Sequence, residues 1–420
     1  MSISFKNIKG KISGSQKEEL SSIAGEEMSL AHFTKAADVP QEHWQVLVEQ
    51  SENYLLSTEY LSALELHPYK GMYFHYMLVF RGEIPVAILY YQESDVHITN
   101  VDKNVDTEKI GNTKSFFSKA KGIIASSLES IKVRLLIQGN LLQSGPHGAY
   151  FDSSLNLQEQ AMIVNAAWNK VVDSNLSGTR IKAILIKDIS PELEVEVQKQ
   201  DPDFAPFGVQ PNMVSTIREG WTDIHSVLAD FSSKYRVRAK SAIKKQDHLT
   251  RKELDIEMLQ KHNETIMELF KNVEAGADFH MVSIDPNYFI DLKIELKDRF
   301  IIRGYFDEEK LIGFYSYLKG DGHNYASFVG LNYDYNRDCA LYQNILYCLL
   351  HDSIKDGAKS IDLARTAMEI KSTMGAEPEQ YQLLAKHVNS ITNSIVKRFL
   401  KNIIQKEWTQ RRPFKDTPKG

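Results

Sequence analysis

The spacing of hydrophobic and polar positions predicts the same order of elements twice along this chain of 420 residues. In the first half it predicts a β-hairpin around Arg81-Gly82-Glu83, a strand over 133–140, an amphipathic helix over 157–173 and a strand over 181–189. In the second half it predicts a hairpin over 299–318, a strand over 326–332, a loop over 333–338, a helix over 339–356 and a short strand over 360–364. We therefore predict an α/β fold with mixed sheets, built as two tandem domains of one type.

Local composition sets the predicted domain boundaries. Residues 199–212 contain three prolines, which makes this segment the best candidate for a junction. The predicted organisation is an N-terminal arm (1–45), a first domain (46–205), a second domain (206–400) and a basic C-terminal tail (401–420).

Composition excludes several classes of protein. Hydrophobic residues make up 42% and charged residues 25%, a balance typical of soluble globular proteins and not of disordered or collagen-like chains. The net charge is -5, so no overall basic bias points to nucleic acid. Cys339 and Cys348 fall nine residues apart in one predicted helix, about 13 Å along its axis, which is too far for a disulfide. With no signal-peptide pattern and no long apolar run, we expect a cytoplasmic protein without a transmembrane segment.

Motifs of several enzyme classes are absent. The sequence contains no GxxxxGK[ST], GxGxxG, HExxH or GxSxG motif and no paired CxxC. Its 13 histidines show no metal-ligand spacing, so no metal site is predicted.

Two neighbouring segments in the second half are the strongest candidates for chemistry. A strand, a loop and a long helix follow one another over 328–356, and Arg337 lies just before the helix, where a pyrophosphate could bind. The alternative is an ordinary turn in which Asp338 caps the helix. Asp362 lies at the end of a buried strand, with Arg365 three and Lys371 nine positions after it. Carboxylate and guanidinium groups at strand ends often line clefts. The alternative is a structural Asp–Arg pair that fixes the loop.

Two other segments suit an anionic ligand less specifically. The predicted helix over 231–246 carries six basic residues mostly off its apolar stripe: Lys234, Arg236, Arg238, Lys240, Lys244 and Lys245. It is a candidate for binding RNA, a coenzyme phosphate or an anionic head group, and the alternative is an ordinary solvated face. A loop with Gly139, Gly145, His147 and Gly148 follows a strand and could wrap a phosphate.

These segments together resemble a known family. LLSTEYLSALE followed by a hairpin, the stretch SSKYRVRAKSAIKK, and ALYQNILYCLLHDSIKDGAKSIDLARTAMEIKSTMGAEP are similar to the Fem-like, peptidoglycan-branching group of the GNAT acyltransferase superfamily. The resemblance covers roughly 50–410, and the positions that match the closing signature are Tyr342, Asp362, Arg365, Lys371 and Gly375. It implies two tandem GNAT-like domains and acyl or aminoacyl transfer to an amine.

The donor loop departs from the family pattern. Simple GNAT enzymes carry an Arg/Gln-x-x-Gly-x-Gly/Ala loop for the coenzyme pyrophosphate, whereas YDYNRDCALY here has no glycine. An aminoacyl-tRNA donor therefore stays open beside acyl-CoA, although residues 246–275 are too short for the long helical arm of tRNA-dependent Fem enzymes.

Our leading hypothesis is an N-acyltransferase that moves an acyl group from acyl-CoA, a co-substrate rather than a bound cofactor, to the amine of a small molecule or cell-envelope precursor. The alternatives are a Fem-type, aminoacyl-tRNA-dependent ligase acting on a peptidoglycan precursor, and a non-catalytic GNAT-fold binding module. Under the leading hypothesis Tyr342 and Asp362 are catalytic, and Arg337, Arg365 and Lys371 bind the donor.

Overall fold

The computed structural model describes residues 18–23, 26–66, 71–97, 132–275, 284–401 and 407–415. Its strands are β1 (Glu18–Ile23), β2 (Glu26–Phe33), β3 (Tyr73–Arg81), β4 (Ile84–His97), β5 (Lys132–Gln138), β6 (Ala149–Phe151), β7 (Ala183–Ile189), β8 (Ala205–Gly208), β9 (Asn212–Thr216), β10 (Thr250–Glu253), β11 (Phe300–Asp307), β12 (Lys310–Lys319), β13 (His323–Leu331), β14 (Ser360–Asp362), β15 (Glu377–Glu379) and β16 (Gln382–His387). Its α-helices are α1 (Gln41–Ser51), α2 (Thr58–Leu66), α3 (Leu157–Ser174), α4 (Pro191–Gln200), α5 (Ile224–Asp230), α6 (Ser233–Lys244), α7 (Ile256–Lys261), α8 (Asn263–Ala275), α9 (Tyr288–Leu296), α10 (Tyr333–Cys339), α11 (Leu341–Lys355), α12 (Met368–Ser372) and α13 (Ser390–Leu400).

The strands form two mixed sheets, as the α/β pattern predicts. The first sheet has the order β1-β2-β3-β4-β5-β7-β16-β8, with β6 paired to β4, and the second has the order β10-β11-β12-β13-β14-β9-β15. Each sheet contains one parallel pair, β5–β7 in the first and β13–β14 in the second. One long helix lies between the parallel strands of the first half and two helices lie between those of the second, so the predicted order of hairpin, strand, helix and strand is present in each half.

The predicted domain boundaries differ at three places from the residues that form the two sheets. Residues 26–33, which the sequence analysis assigned to an arm, form β2 and pair with β3. The predicted boundary between 205 and 206 lies within β8, although the chain does pass to the second sheet between Gly208 and Asn212. β16 returns from the second half to the first sheet, where it pairs with β7 and β8. Residues 1–17, 24–25, 402–406 and 416–420 of the predicted arm and tail lie outside the described residues.

Three hydrophobic clusters hold these layers together. The cluster between the halves joins α1, α2 and one face of β3 and β4 to α9 and one face of the second sheet; members with little or no exposure include Trp44, Leu61, Tyr76, Phe300 and Phe314. The opposite face of the first sheet is covered by α3 and α4, and that of the second by α5, α6 and α11. Because the shared cluster draws side chains from both halves, burial of apolar area favours their association.

Local signals place several helices as predicted. Ser57 Oγ accepts a hydrogen bond from Tyr60 N at 3.2 Å, so this serine caps α2 as its position suggests. The long predicted helix over 339–356 buries the expected side chains, Leu341, Ile345, Leu349 and Ile354.

The strand-to-helix connection of the second half differs from the prediction. Residues 333–338 were expected to form a loop, but they lie in α10, because Asn332 Oδ1 accepts from the amides of Asp334 and Tyr335. Ala340 has a left-handed φ of 51° and breaks the run into two helices. Cys339 therefore ends α10 while Cys348 lies within α11, and both are free thiols.

Candidate functional site at the junction of the two halves

The parallel strands of the second sheet separate at their carboxyl ends. β13 and β14 pair over three residues, from His323↔Ser360 to Tyr325↔Asp362. β14 then ends, whereas β13 continues to Leu331 with no described strand beside it on this edge. Ligands of open α/β sheets bind where strands end in this way, so the opening beside β13 is the candidate site.

A loop of the first half reaches this opening. Gln143 Nε2 donates to Ser327 Oγ on β13 at 2.8 Å. The register of β13 shifts around Ser327, where the strand bulges away from its partner β12. The ring of His147 lies edge-on to Tyr325, with 5.3 Å between the centroids. Both halves of the chain therefore contribute side chains to the opening.

Asp362 is the last residue of β14 and lies deep in the site. Its Oδ2 accepts from Asn212 Nδ2 at 2.7 Å, and its Oδ1 accepts from the amide of Ala364 at 2.6 Å. Burial raises the pKa of the Asp362 carboxyl to about 6, against the lowering effect of these hydrogen bonds and of Lys371. The Asp362 carboxyl therefore changes from its neutral to its charged form just below neutral pH.

The turn after Asp362 has an unusual backbone, and Lys371 holds it. Ala364, Thr366 and Ala367 all have positive φ, a conformation that costs free energy in residues other than glycine. Lys371 Nζ donates to the carbonyl oxygens of Ala364 and Arg365, at 3.1 and 2.5 Å. Burial lowers the pKa of Lys371 to about 7, with nearby Asp362 acting against this shift.

Arg365 crosses from this turn to the first half. Its guanidinium donates to Asp188 Oδ1, and Gly145 N donates to Asp188 Oδ2 at 2.9 Å. The Asp188 side chain is fully buried, and its backbone has a φ of 58°. The predicted alternative of an Asp362–Arg365 pair is therefore wrong: the partner of Arg365 is an aspartate 177 positions earlier in the chain.

The glycine loop is packed against this aspartate. A Cβ at Gly148 would lie 2.9 Å from Gly139 N, so close backbone approach requires a glycine there. Buried Lys187 donates to the carbonyls of Asn140 and Gln143, much as Lys371 holds its own turn. Burial lowers the pKa of His147 to about 4, so this histidine is neutral at physiological pH. The loop uses one of its amides internally, on Asp188, rather than leaving it for a phosphate.

Of the buried polar atoms that have no hydrogen-bond partner among the described residues, two lie beside the carboxylates of Asp362 and Asp188. They are Asn212 Oδ1 and Arg365 Nε, on side chains whose other atoms hold Asp362 and Asp188. An unpaired buried polar atom costs free energy. A bound group that donates to Asn212 Oδ1 or accepts from Arg365 Nε would recover this free energy.

The five residues selected from the sequence do not all meet. Asp362, Arg365 and Lys371 come together at the junction of the two halves. Tyr342, in the first turn of α11, is half-buried and packs against the cluster beneath the second sheet. Burial raises the pKa of Tyr342 to about 12. The Arg337 side chain is 77% exposed on α10 and faces Asp334 and Asp338, so it is not joined to the other four.

A groove of about 640 Å³ lies between α6, α11 and α12. It is lined at the N-terminus of α11 by Ala340 and Gln343, and by the basic side chains Arg238, Lys245 and Arg411. The Glu369 carboxylate also lines it and accepts from Arg411 at 2.9 Å, so the unbalanced positive charge comes from Arg238 and Lys245. Tyr235, Tyr347 and Ile370 add an apolar wall. Cations beside a helix N-terminus suit an anionic ligand, and this part of the predicted basic helix contributes to the groove.

Comparison with solved structures identifies the architecture. FemX aligns with a TM-score of 0.53 at 12% sequence identity, over 86% of this chain and 98% of that one. The chain has a GNAT/Fem-like fold. The sequence-based prediction of this fold class, with two tandem GNAT-like domains, is confirmed.

Two other structures are similar at lower scores. A tandem GNAT protein from the clavulanic acid biosynthesis pathway has a TM-score of 0.49 at 9% identity, covering 86% of this chain and 99% of that one. The C-terminal domain of a putative lysylphosphatidylglycerol synthetase from Agrobacterium fabrum has a TM-score of 0.46 at 9% identity, covering 87% and 97%. No family model and no curated protein matches the sequence.

The described part of the chain has neither a metal-ligand cluster nor a membrane-spanning helix. No group of three or more His, Cys, Asp or Glu side chains there is placed to hold a metal ion. None of the helices described is both long and apolar enough to cross a membrane.

Sequence reasoning missed Asp188, Asn212 and Lys187 as members of the site. The only available signal for Asp188 and Lys187 was two adjacent charged residues inside the apolar run AILIKDI, which is unusual for a buried strand. Asn212, at the start of β9, had no such signal, because its role depends on the pairing of β9 with β14.

Proposed function

We propose that this chain transfers an acyl or aminoacyl group to an amine at the junction of its two halves. The observation that carries the proposal is the opening between β13 and β14, at which Asp362, Arg365 and Lys371 meet Asp188 of the first half. The GNAT/Fem-like fold supports a transferase at the level of architecture.

The chemistry of such a transfer fits this set of groups. The amine forms a bond to the carbonyl carbon and loses a proton, while the carbonyl oxygen needs hydrogen-bond donors as it gains charge. The bond from that carbon to the sulfur or ribose oxygen of the donor then breaks, and the leaving group takes up a proton. Asp362, with a pKa raised to about 6 by burial, is ionised at neutral pH and is the proposed base. Arg365 Nε, a buried donor without a partner among the described residues, is the proposed contact for a substrate oxygen.

For the donor we propose acyl-CoA, bound with its phosphates in the groove beside α11. The support is the combination of Arg238, Lys245 and Arg411 with the N-terminus of a helix of 15 residues. The apolar wall formed by Tyr235, Tyr347 and Ile370 suits the uncharged part of such a donor.

A second donor, aminoacyl-tRNA, is favoured by a different observation. α10 occupies the connection where simple GNAT enzymes carry a glycine-rich phosphate loop. α6 exposes four basic side chains, Lys234, Arg238, Lys240 and Lys244, and exposed Lys245 follows at its C-terminal end. A row of exposed cations suits a long polyanion, and its contribution to binding falls steeply with salt.

The experiment is a transfer assay with both donors. The purified protein is incubated with labelled acetyl-CoA or alanyl-tRNA and a panel of amines, and products are detected by their mass increase. We expect transfer from acetyl-CoA, and at least a 10²-fold lower kcat/KM for Asp362→Asn at a melting temperature no lower than that of the unchanged chain.

Arg180, exposed on the loop between α3 and β7 and not one of the residues that form the site, provides the control. Arg180→Ala should leave kcat/KM unchanged. Transfer from alanyl-tRNA but not from acetyl-CoA would show that the donor is the second candidate, aminoacyl-tRNA. If neither donor reacts or binds in calorimetry, the chain is a non-catalytic module and the proposal is wrong.

A further inference from the structure

The helix α13 presents an apolar surface to solvent. Ile391 is 76% exposed and Ile395, one turn later, is 65% exposed. Residues four apart lie on the same side of a helix, so the two side chains form one patch. Exposed isoleucines elsewhere in the described chain, such as Ile84, do not share a helix turn with another one.

The opposite side of α13 is attached to the body of the protein by polar contacts. Asn393 is 2% exposed; its Oδ1 accepts from His387 N at 2.9 Å, and its Nδ2 donates to Asp203 O at 2.8 Å. Lys397 Nζ donates to Pro202 O and lies 3.5 Å from Asp203 Oδ1. This arrangement reverses the usual one, in which a surface helix buries its apolar side and exposes its polar side.

Basic side chains border the apolar patch. Arg398 follows Ile395 by three positions and lies on the same side of the helix, and Lys401 caps its C-terminal end. Both residues are exposed. Apolar side chains flanked by cations are the pattern of helices that lie in the interface of an anionic membrane.

We propose that α13 docks this protein on an anionic lipid surface. Ile391 and Ile395 enter the region between headgroups and acyl chains, and Arg398 and Lys401 lie against the anionic headgroups. The polar contacts of Asn393 hold the helix so that its apolar side already faces outward before the protein binds the membrane. This inference does not depend on the proposed transferase activity.

The test is binding of the full chain to lipid vesicles, measured by co-sedimentation. We expect binding to vesicles of phosphatidylcholine with 30% phosphatidylglycerol, at least fivefold weaker binding to phosphatidylcholine alone, and weaker binding as salt rises. Ile391→Ser combined with Ile395→Ser should weaken binding to the anionic vesicles at least fivefold. Arg398→Gln combined with Lys401→Gln should do the same.

Ile84→Ser is the matched control, since Ile84 is 67% exposed on the first sheet, away from α13. This variant should bind vesicles like the unchanged protein, and all variants should keep its melting temperature. Equal binding by the Ile391→Ser/Ile395→Ser variant, or no binding to either kind of vesicle, would overturn the proposal. So would self-association in analytical ultracentrifugation that the double variant abolishes, because the patch would then be covered by a second copy of the chain.

Discussion

At the scale of single residues, burial dominates the electrostatics of the site. It is the largest cause of the raised pKa of Asp362 and of the lowered pKa of Lys371. Both shifts favour the uncharged forms, and both groups titrate close to neutral pH. A site that must accept and release protons benefits from such groups, since their protonation changes near the working pH.

Asp362 should make stability depend on pH in a defined window. Its pKa is about 6 in the folded chain and 3.8 in the unfolded one, so the folded state binds more protons between these values. Stability from this group is therefore largest below pH 3.8, falls as pH rises to 6, and is constant above. The change is at most about 3 kcal/mol. Urea unfolding of the unchanged chain and of Asp362→Asn from pH 4 to 7 measures it. A difference between the two that does not vary with pH would contradict the shift.

Lys371 should stabilise the turn whose carbonyl groups it contacts. Lys371→Met keeps the length of the side chain but removes both hydrogen bonds to the carbonyls of Ala364 and Arg365. We expect a loss of roughly 1–3 kcal/mol in the free energy of unfolding, because two buried carbonyls lose their donor. Lys240→Met, on the exposed side of α6, is the matched control and should have little effect. An equal loss in both variants would show that Lys371 has no special role in the turn.

At the scale of elements, the break between α10 and α11 shapes the groove. Ala340 adopts the left-handed conformation that separates the two helices, and it lines the groove at the N-terminus of α11. Residues other than glycine rarely adopt this conformation, since their Cβ approaches the following carbonyl. The helix N-terminus is therefore exposed to the groove by a residue poorly suited to its position.

Replacing this alanine tests the break. Ala340→Gly should raise the free energy of unfolding by up to about 1 kcal/mol, because glycine reaches positive φ at no steric cost. Ala239→Gly, inside α6, should lower it by about 1 kcal/mol. Thermal unfolding of both variants provides the comparison. Destabilisation by Ala340→Gly would show that the chain is a continuous helix at this point.

At the scale of the whole molecule, the two halves are joined at more than their shared core. β16 lies in the first sheet although it follows the second half in sequence, and its Leu384 is fully buried there beside β7. Asp188 accepts from Arg365 across the junction. Removal of either connection should therefore affect both halves.

The exchange of β16 predicts how fragments behave. A fragment of residues 1–209 lacks β16, which separates β7 from β8, and loses the shared core as well. We expect it to unfold without a cooperative transition, because it exposes the apolar face that packs on the second half and leaves β7 and β8 without the strand between them. Co-expression with residues 210–420 should restore a complex with cooperative unfolding. A cooperative transition of the fragment alone would show that the first half folds independently.

The contact between Arg365 and Asp188 can be tested in the full chain. Arg365→Ala leaves the fully buried Asp188 carboxylate without its guanidinium partner, and loss of one member of a buried pair typically costs about 3–5 kcal/mol. Asp188→Asn combined with Arg365→Ala should recover part of this loss, since the unpaired charge is removed. Denaturant unfolding of the single and double variants measures the coupling, and purely additive effects would contradict it.

The sequence alone determined the elements and their order in this protein. Apolar periodicity located the parallel strands and connecting helices of both halves, and Ser57 marked the start of α2. The sequence also placed Asp362 at the end of a strand, with Arg365 and Lys371 just beyond it. These features depend on neighbours a few positions away, so a local pattern is enough to predict them.

Only the tertiary structure determined which residues and strands these elements contact. No local pattern shows that β16 pairs with β7, that Asn212 donates to Asp362, or that Arg365 has Asp188 as its partner. Each of these contacts joins positions 150 or more residues apart, where pairing is set by the packing of sheets and the common core. Arg337 illustrates the converse: its position before α11 suggested a ligand contact, but the helical turn of α10 directs its side chain to solvent. The site is the product of long-range packing, because its residues acquire their burial and their shifted pKa values only when the two halves come together.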